Sequence, residues 1–320
     1  MIFDDLMLNK KYAELYLKTH EEIFEFEYKE NDEIFKSLSI KRPIKEIGNI
    51  KIEENYFDLE TPYGYGGLLF NTKNKNFIKK ALKEYKNFCK EKKIIANFIR
   101  FHPFVSCISE EMDFCSYDRD IVIKDLSVSN DILSTYSSKV RNIIKKCSTK
   151  NIQIRESRNI DKFLEMYYFT MEKNKADKFY YFDKDYFKKL LQLENVFLYE
   201  AVFENEVIAM SFFIFSTFAY YHLSANTPIS YKLNANYLLL HYAFLEAKKR
   251  GIKYFILGGG TSSFKDDTLL KFKMKFSKLL KPFYIGGIIF NKDKYTEYNK
   301  LWMKQSNKDI KYFLKYRLEV

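Results

Sequence analysis

The residue best placed for chemistry is a lysine within a short amphipathic segment. The stretch 253–276, KYFILGGGTSSFKDDTLLKFKMKF, predicts a strand, a polar loop that opens with three glycines, and a helix. At about 100° per residue, Leu269, Phe272 and Phe276 share the apolar face of this helix, and Lys273 projects into the same sector. An inward lysine needs an anionic or carbonyl partner, because burial of an unpaired ammonium costs several kcal/mol. Lys273 is therefore a candidate catalytic residue, although such lysines also reach the protein rim or pair with a structural carboxylate.

The glycines that precede this helix are the second candidate feature. Glycine is scarce in the chain, with 10 in 320 residues, so three in a row at 258–260 are informative. Glycine permits positive φ and lets the backbone approach another molecule closely. Gly259 and Gly260 are therefore predicted to contact substrate. Asp267 suits the cap or first turn of the helix, where a carboxylate meets free N–H groups.

The chain is basic and long enough for two medium-sized domains. Its net charge is +12, from 54 Lys and Arg against 42 Asp and Glu, and 47% of its residues are hydrophobic. This balance favours an anionic partner, such as nucleotide phosphates, RNA or a lipid-linked pyrophosphate at a membrane surface. Richness in Lys, Asn, Ile, Tyr and Phe is also typical of AT-rich genomes, which offers a second explanation for part of the charge.

The cysteines and the N-terminus predict a cytoplasmic protein. Cys89, Cys107, Cys115 and Cys147 show no C-x-x-C spacing, so we expect reduced thiols and no metal site. The N-terminal residues MIFDDLMLNKK carry acids where a signal peptide carries cations, and no apolar run is long enough to span a bilayer. Peripheral membrane contact stays open.

Periodicity and turn residues predict an α+β (mixed α/β) fold in which mostly antiparallel sheets are flanked by helices. We place an N-terminal lobe at 1–128, a C-terminal lobe at 129–290, and packing helices at 291–320. The predicted helices are 10–27, 74–93, 131–150, 159–173, 183–193 and 236–250. The predicted strands include 94–101, 120–123, 152–155, 196–203, 207–215, 218–226, 254–257 and 282–290.

The order of elements in the second lobe resembles the GNAT acyltransferase fold. A strand that ends beside a helix N-terminus can cradle the pyrophosphate of an acyl carrier. Here that cradle falls at 227–236, although the loop lacks the glycine-rich phosphate signature of typical GNAT enzymes. The resemblance implies that the carrier contacts residues at or near this loop, namely Ser224, Asn226, Lys232, Asn234 and Asn236.

Four segments in order resemble a more specific group. DLETPYGYGG, TYSSKVRNIIKK, YYHLSAN and LGGGTSSFKDDTLLKFKMKF are similar to the FemAB-like branch of the GNAT superfamily, which has two tandem GNAT-like lobes. The resemblance covers most of residues 50–290. It implies that the Phe and Lys of the F-K-x-x-F helix, here Phe272 and Lys273 with Phe276 completing the motif, lie in the transfer site. The lysine would stabilise the carbonyl oxygen of the acyl group.

The implied reaction is direct acyl transfer to an amine, with the oxyanion held by Lys273 and backbone N–H groups near the glycines. Asp267 and His222 are candidates for the general base, although a histidine that alternates within a strand is more often a wall residue. The other candidate substrate contacts, each with a structural alternative, are Asp58, Tyr63, Tyr65, Arg141 and Lys145.

The preferred function is acyl transfer from acyl-CoA, as a co-substrate, to an amino sugar or cell-envelope precursor. The acceptor would be a nucleotide-linked or lipid-linked amino sugar or a peptidoglycan precursor. The alternative donor is aminoacyl-tRNA, and the absence of an inserted coiled-coil arm favours CoA over tRNA. A third hypothesis from another class is a non-catalytic RNA- or phosphate-binding protein, but the chain has no RNP-type aromatic motif or continuous basic stripe.

Overall fold

The computed structural model describes residues 2–320, and the chain divides into two compact units. The terminal unit contains Ile2, Met7–Asp118 and Pro282–Val320, and the central unit contains Phe3–Leu6 and Arg119–Lys281. Each unit has a mostly antiparallel sheet flanked by helices, so the predicted α+β class is confirmed. The chain leaves one unit and enters the other at 118/119 and 281/282; the sequence placed lobe borders at 128/129 and 290/291.

The terminal unit begins with strands and one long helix. Its elements are α1 (Lys10–Ala13), β1 (Glu22–Glu30), β2 (Glu33–Pro43), β3 (Glu46–Ile47), β4 (Ile50–Lys51), β5 (Phe57–Glu60), β6 (Leu68–Phe70), α2 (Lys75–Glu91) and β7 (Ile94–Arg100). Strand β8 (Phe114–Asp125) then leads into the central unit.

The central unit follows the predicted order closely. Its elements are α3 (Ser138–Thr149), β9 (Gln153–Ser157), α4 (Ile160–Lys173), α5 (Lys184–Gln192), β10 (Val196–Phe203), β11 (Glu206–Phe215), β12 (Ala219–Asn226), α6 (Pro228–Leu233), α7 (Ala235–Lys249), β13 (Tyr254–Gly258) and α8 (Thr268–Lys273). Strand β14 (Leu279–Ile289) leads back to the terminal unit, which ends with α9 (Lys292–Gln305).

In the terminal unit, the strand order is β1-β2-β5-β7-β14, with β6 also paired to β2. Helix α2 starts where the Asn74 side chain accepts hydrogen bonds from the backbone of Asn76 and Phe77. Its inward side chains, which include Phe77 and Tyr85, join one hydrophobic core of the sheet. Trp302 of α9 belongs to a second core. The sheet is thus covered by a helix-based core on each face.

In the central unit, the strand order is β8-β13-β12-β11-β10-β9. Only the β12–β13 pair among these is parallel. Helices α3, α7 and α8 contribute to a large core with Phe213 and Phe255 of the sheet. Helices α4 and α5 pack Phe163 and Phe187 against Phe212, which is one residue along β11 from Phe213. Because neighbouring strand residues face opposite ways, the sheet is buried on both faces.

The predicted helix at 10–27 is wrong. The chain forms the short helix α1 and then strand β1, which pairs antiparallel with β2 from Glu22↔Lys41 to Glu30↔Glu33. In β1, Phe24, Phe26 and Tyr28 recur at every second position with charged residues between them. That period of two is typical of a strand with one buried face, and it outweighs the helix propensity of Glu and Lys.

Two further expectations need correction. The expectation of four reduced thiols is wrong for Cys107 and Cys115, which are joined by a disulfide of 2.09 Å, while Cys89 and Cys147 are free and buried. The basic helix predicted at 131–150 begins only at Ser138, because the Ser137 hydroxyl caps it by accepting from the Val140 N–H.

Candidate active site in the central unit

Lys273 lies in the last turn of α8 with its side chain turned inward. Only 7% of the residue is exposed, so the predicted orientation is confirmed. Its Nζ donates a hydrogen bond of 2.7 Å to the carbonyl oxygen of Gly259. The buried face of the helix is rotated from the prediction, because Leu270 rather than Leu269 is buried beside the lysine. A lysine ammonium has three N–H donors, so this single bond leaves donors for a ligand.

The electrostatic setting of Lys273 disfavours its charge. Burial lowers the pKa of Lys273 to about 7, with Asp267 acting in the opposite direction and Arg119 adding to the decrease. Within residues 2–320, no salt bridge of 4.0 Å or less joins this ammonium to a carboxylate. A buried lysine whose pKa is lowered by desolvation is a candidate functional residue, because shifted pKa values cluster at functional sites.

Each of the three glycines occupies a position where a Cβ atom would be strained or crowded. Gly258 has φ of +82°, which favours glycine, and a Cβ there would lie 3.1 Å from Lys273 Nζ. A Cβ on Gly259 would lie 2.8 Å from Cδ of Arg119, and one on Gly260 would lie 2.5 Å from the Asp267 carboxylate. The three glycines therefore let the loop fit closely between β8 and α8.

Asp267 fixes the loop and the start of α8. Its Oδ1 accepts from the Leu270 N–H at 2.9 Å. Its Oδ2 accepts from the backbone N–H groups of Thr261 and Ser262, both at 3.0 Å, and from both hydroxyls. Burial opposes the charge, but these hydrogen bonds lower the pKa of Asp267 to about 2. A carboxylate with five donors and so low a pKa is a poor general base, and its geometry is that of a positioning residue.

The parallel strands β12 and β13 separate beside Lys273. They pair only at Ala219↔Phe255 and Tyr220↔Ile256, after which the ladder ends. Tyr221 is the next residue of β12, and Lys273 Nζ lies 5.9 Å from the centre of its ring. Lys273 therefore lies where the two strands separate. It is hydrogen-bonded to the glycine loop that follows β13 and is close to the Tyr221 ring of β12.

A chain of hydroxyl and amide groups continues from Tyr221 along β12. Ser211 Oγ donates to Ser224 Oγ at 2.9 Å, and burial raises the pKa of Tyr221 while these two serines act in the opposite direction. Asn226 Nδ2 donates to Ser224 Oγ at 3.3 Å, and Ser230 Oγ donates to Asn226 Oδ1 at 3.2 Å. The predicted carrier contacts Ser224 and Asn226 thus belong to one polar network that runs along the end of β12 to Ser230 of α6.

Sequence reasoning missed Tyr221, Ser211 and Arg119. Arg119 lies on β8 and donates from its guanidinium to the Gly260 carbonyl oxygen at 3.0 Å, across 141 positions of the sequence. Local sequence patterns do not predict a contact between residues so far apart in the chain. Tyr221 had a usable signal, since it is one residue from the His222 that the sequence selected and faces the opposite side of the strand.

His222 is directed away from the lysine. Its Nε2 is 3.0 Å from the Tyr186 hydroxyl of α5, on the sheet face opposite to Tyr221. Burial lowers the pKa of His222 to about 3, so the imidazole is neutral at physiological pH. The structure therefore does not bring His222 together with Lys273 and Asp267.

The remaining predicted carrier contacts, Lys232, Asn234 and Asn236, lie at the end of α6 and the start of α7. Thr227 caps α6 by accepting from the Ser230 N–H, and Lys232 is exposed. Asn234 joins α6 to α7 with φ of +58° and makes no side-chain cap bond. Asn236 Oδ1 is buried without a hydrogen-bond partner among residues 2–320. A buried acceptor without a donor is costly, so this amide suits a ligand N–H group.

The predicted substrate contacts fall into two groups. Arg141, whose guanidinium donates to the Tyr136 carbonyl oxygen, and exposed Lys145 lie on α3 of the central unit. Phe272 packs its ring 5.3 Å from that of Tyr237 on α7. In the terminal unit, Asp58 is fully buried between Arg42 and Arg317.

The tyrosine turn of the terminal unit is half-buried. The Tyr63 carbonyl oxygen accepts from the Tyr12 hydroxyl, and the Tyr65 ring packs edge-on against His102 and Phe283. Both tyrosines stay predicted acceptor contacts. Because the Asp58 carboxylate is already paired with two arginines, it is less available to a substrate than the tyrosines are.

Residues 2–320 contain neither a metal-binding cluster of His, Cys or acidic side chains nor a membrane-spanning helix. No cluster of three or more His, Cys, Asp or Glu side chains has an arrangement that would hold a metal ion. No helix combines the length and apolar character needed to cross a bilayer.

Comparison with known proteins shows a similarity to the FemAB family. Residues 194–296 match the sequence model of the FemAB family. A crystal structure of FemX is similar over 92% of this chain and 94% of its own chain, with a TM-score of 0.70 and 14% identity. A comparison with curated protein sequences found no match.

Two weaker structural similarities are to a putative lysylphosphatidylglycerol synthetase and to a protein named L-PGS. The C-terminal domain of a putative one from Agrobacterium fabrum has a TM-score of 0.52 at 10% identity and covers 86% of this chain and 85% of its own. L-PGS from Bacillus licheniformis has a TM-score of 0.52 at 12% identity and covers 88% of each chain.

Residues 194–296 thus resemble the FemAB family, and the fold of the chain, with its two mostly antiparallel units, resembles that of FemX. The FemAB-like resemblance drawn from the sequence is confirmed, and the family match contains the last two of its four segments, YYHLSAN and LGGGTSSFKDDTLLKFKMKF. The family match contains strands β10–β13, helix α8 and the candidate site around Lys273.

Proposed function

We propose that the protein transfers an acyl group from acyl-CoA to the amine of an amino sugar or a cell-envelope precursor. The observation that carries this proposal is Lys273, a buried lysine that donates to Gly259 and lies where β12 and β13 separate. A gap between parallel strands offers backbone groups to an extended carrier, and the lysine is the nearest strong donor to its reactive end.

In the proposed reaction, the acceptor amine attacks the thioester carbonyl, forming a C–N bond. The C–S bond then breaks, CoA leaves as a thiolate, and the proton that the amine loses passes to that thiolate, giving an amide and the free thiol of CoA. Protonated Lys273 donates to the oxygen that gains negative charge in the transition state. In a dry site, one such donor contributes about 3–4 kcal/mol, or roughly 100- to 1000-fold in rate.

The proposed carrier path follows the polar network of β12 toward α7. Ser224 and Asn226 offer hydroxyl and amide groups along the strand, and Asn236 Oδ1 offers an acceptor that has no protein donor among residues 2–320. The pantetheine arm of CoA contains amide N–H groups of the kind such an acceptor needs. Lys232, exposed on α6, suits a phosphate contact.

A second candidate donor is aminoacyl-tRNA, which a peptidyl transferase of the FemAB type would use. The match of residues 194–296 to the FemAB family favours this donor. The same lysine would then act on an ester carbonyl. The basic surface of α3, which includes Arg141 and Lys145, would suit RNA phosphates.

Donor titration separates these two possibilities. Acetyl-CoA and longer acyl-CoAs are added to the purified protein, and the unfolding temperature is followed against unacylated tRNA and aminoacyl-tRNA. We expect saturable stabilisation by an acyl-CoA and weaker stabilisation of an Asn236→Ala variant. A response to aminoacyl-tRNA alone would move the proposal to the second donor.

The acceptor and its location follow from the same proposal. A nucleotide-linked or lipid-linked amino sugar, or a peptidoglycan precursor, carries both an amine or peptide amine and anionic phosphate, which suits a protein of net charge +12. Acyl-CoA and nucleotide-linked precursors are cytoplasmic molecules, so we place the reaction in the cytoplasm or at its membrane surface.

A further inference from the structure

One face of the central unit exposes an unusual number of large apolar side chains. Fourteen such residues are exposed in the described chain 2–320, and six of them lie on α4, the loop after it, and α6. Their exposed fractions range from 38% to 51%. We call these six the aromatic face: Phe169, Phe179, Tyr180, Tyr181, Ile229 and Tyr231. A cluster of this kind marks an interaction surface, whereas scattered apolar residues do not.

Hydrogen bonds and ring contacts make the aromatic face continuous. The Tyr167 hydroxyl donates to the Tyr180 carbonyl oxygen at 2.7 Å, which ties the loop to α4. Lys173 Nζ, at the end of α4, lies 4.1 Å from the ring centre of Tyr231 on α6. Cys147 Sγ of α3 is 3.2 Å from the Leu233 carbonyl oxygen at the end of α6. The C-terminal end of α3 therefore lies beside the end of α6, which carries Ile229 and Tyr231 of the aromatic face.

Helix α3 and the residues that follow it are rich in positive charge. Residues 132–155 contain six basic side chains and no acidic one, namely Lys139, Arg141, Lys145, Lys146, Lys150 and Arg155. Of these, Arg155 forms a salt bridge, with Glu200. The loop itself is close to neutral, with four lysines and three acids in 172–184. The positive flank thus comes mainly from α3.

The ring geometry favours a lipid surface over a nucleic acid. Stacking of bases needs open ring faces, but Lys173 covers a face of Tyr231. Tyr181 packs at 36° on Tyr168, and Phe179 packs edge-on to Tyr180 at 5.5 Å between ring centres. Edges and aliphatic groups such as Ile229 remain outward. Aromatic and aliphatic side chains beside lysines are typical of proteins that rest in the bilayer interface.

We propose that the aromatic face docks the protein on an anionic phospholipid bilayer, with the lysines of α3 against the headgroups. The face adjoins the end of the proposed carrier path, because Asn226 accepts from and donates to Thr170 of α4. Docking would bring the candidate site to a lipid-linked acceptor. That last consequence rests on the proposed function, whereas docking does not.

Vesicle co-sedimentation of the full-length protein tests the proposal. Phosphatidylcholine vesicles with and without 30% phosphatidylglycerol are compared at low and high salt. The apolar variant is Phe169→Ser with Phe179→Ser, and the charge variant is Lys146→Gln with Lys150→Gln. Matched controls are Met303→Ser, an exposed apolar residue elsewhere, and Lys79→Gln with Lys83→Gln on α2, which lower the net charge equally.

We expect binding only to the anionic vesicles, with the partition coefficient lowered about tenfold or more by either variant and unchanged by either control. Lys273→Met should bind vesicles as the wild type does. Vesicle binding therefore tests the docking surface even if the proposed transferase activity is not found. Absence of vesicle binding would overturn the proposal, as would equal losses in the charge variant and its control. Tight binding of a labelled single-stranded RNA, lost in the apolar variant, would replace it with an RNA surface. Thermal unfolding of each variant checks that it is folded.

Discussion

The replacement Lys273→Met should stabilise the protein while it removes the proposed chemistry. The native fold lowers the pKa of Lys273 from 10.5 to about 7. Between these values the unfolded chain binds a proton that the folded protein does not, so the free energy of unfolding rises with pH across this window. Methionine has a similar shape and no charge, so the variant loses both the penalty and its pH dependence.

The size of the effect follows from the two pKa values. At about 1.4 kcal/mol per pKa unit, the charge penalty is about 4 kcal/mol at pH 7 and about 1.4 kcal/mol at pH 9.5. Loss of the hydrogen bond to Gly259 lowers the stability of the variant by about 1 kcal/mol at both pH values. The net gain of Lys273→Met is then about 3 kcal/mol at pH 7 and close to zero at pH 9.5.

Urea unfolding at pH 7 and pH 9.5, followed by circular dichroism, measures this difference. Lys278→Met, an exposed lysine five positions away, is the matched control and should change stability little at either pH. Destabilisation of Lys273→Met at pH 7, with a pH dependence like that of the wild type, would refute the reasoning. It would mean that the buried lysine is a structural tie rather than a strained functional group.

Four further predictions follow from the same site. Asp267→Asn should cost about 1–2 kcal/mol at pH 7, because it weakens a helix cap and the loop bonds; since its pKa is lowered to about 2, this difference should shrink as pH falls from 4 to 2 in acid unfolding. Gly260→Ala should lower kcat/KM at least tenfold, because its Cβ would lie 2.5 Å from the Asp267 carboxylate, whereas unchanged activity would contradict a closely fitted loop. If Lys273 acts as a cation, kcat/KM should fall as pH rises through about 7, and a rise in its place would indicate a base. His222→Gln should leave that pH profile unchanged, because His222 is neutral above about pH 3.

The sequence predicted most of the central unit because its signals are local. Strand and helix periods, turn residues and caps gave β10–β13 and α7 to within one or two residues. The inward direction of Lys273 followed from its angle of about 40° to Leu269 on a helix. The fold class followed in the same way.

What could not be predicted depends on contacts between distant segments. Arg119 reaches Gly260 across 141 positions, and the saturation of Asp267 by Thr261 and Ser262 depends on how the loop folds back. For that reason Asp267 could be taken for a base. The early helix at 10–27 was wrong because strand β1 gains its stability from β2 and the sheet rather than from its own propensities.

The most direct test of the central claim is a single-turnover measurement of acyl transfer by Lys273→Met and Lys278→Met. The donor is the one that stabilises the wild type, the acceptor is an amino sugar, and both proteins are held at pH 6.5. The account predicts a loss of roughly 100- to 1000-fold in the transfer rate for Lys273→Met and a rate within twofold of wild type for Lys278→Met. Equal rates for the two variants would contradict the assignment of Lys273 to the transfer step.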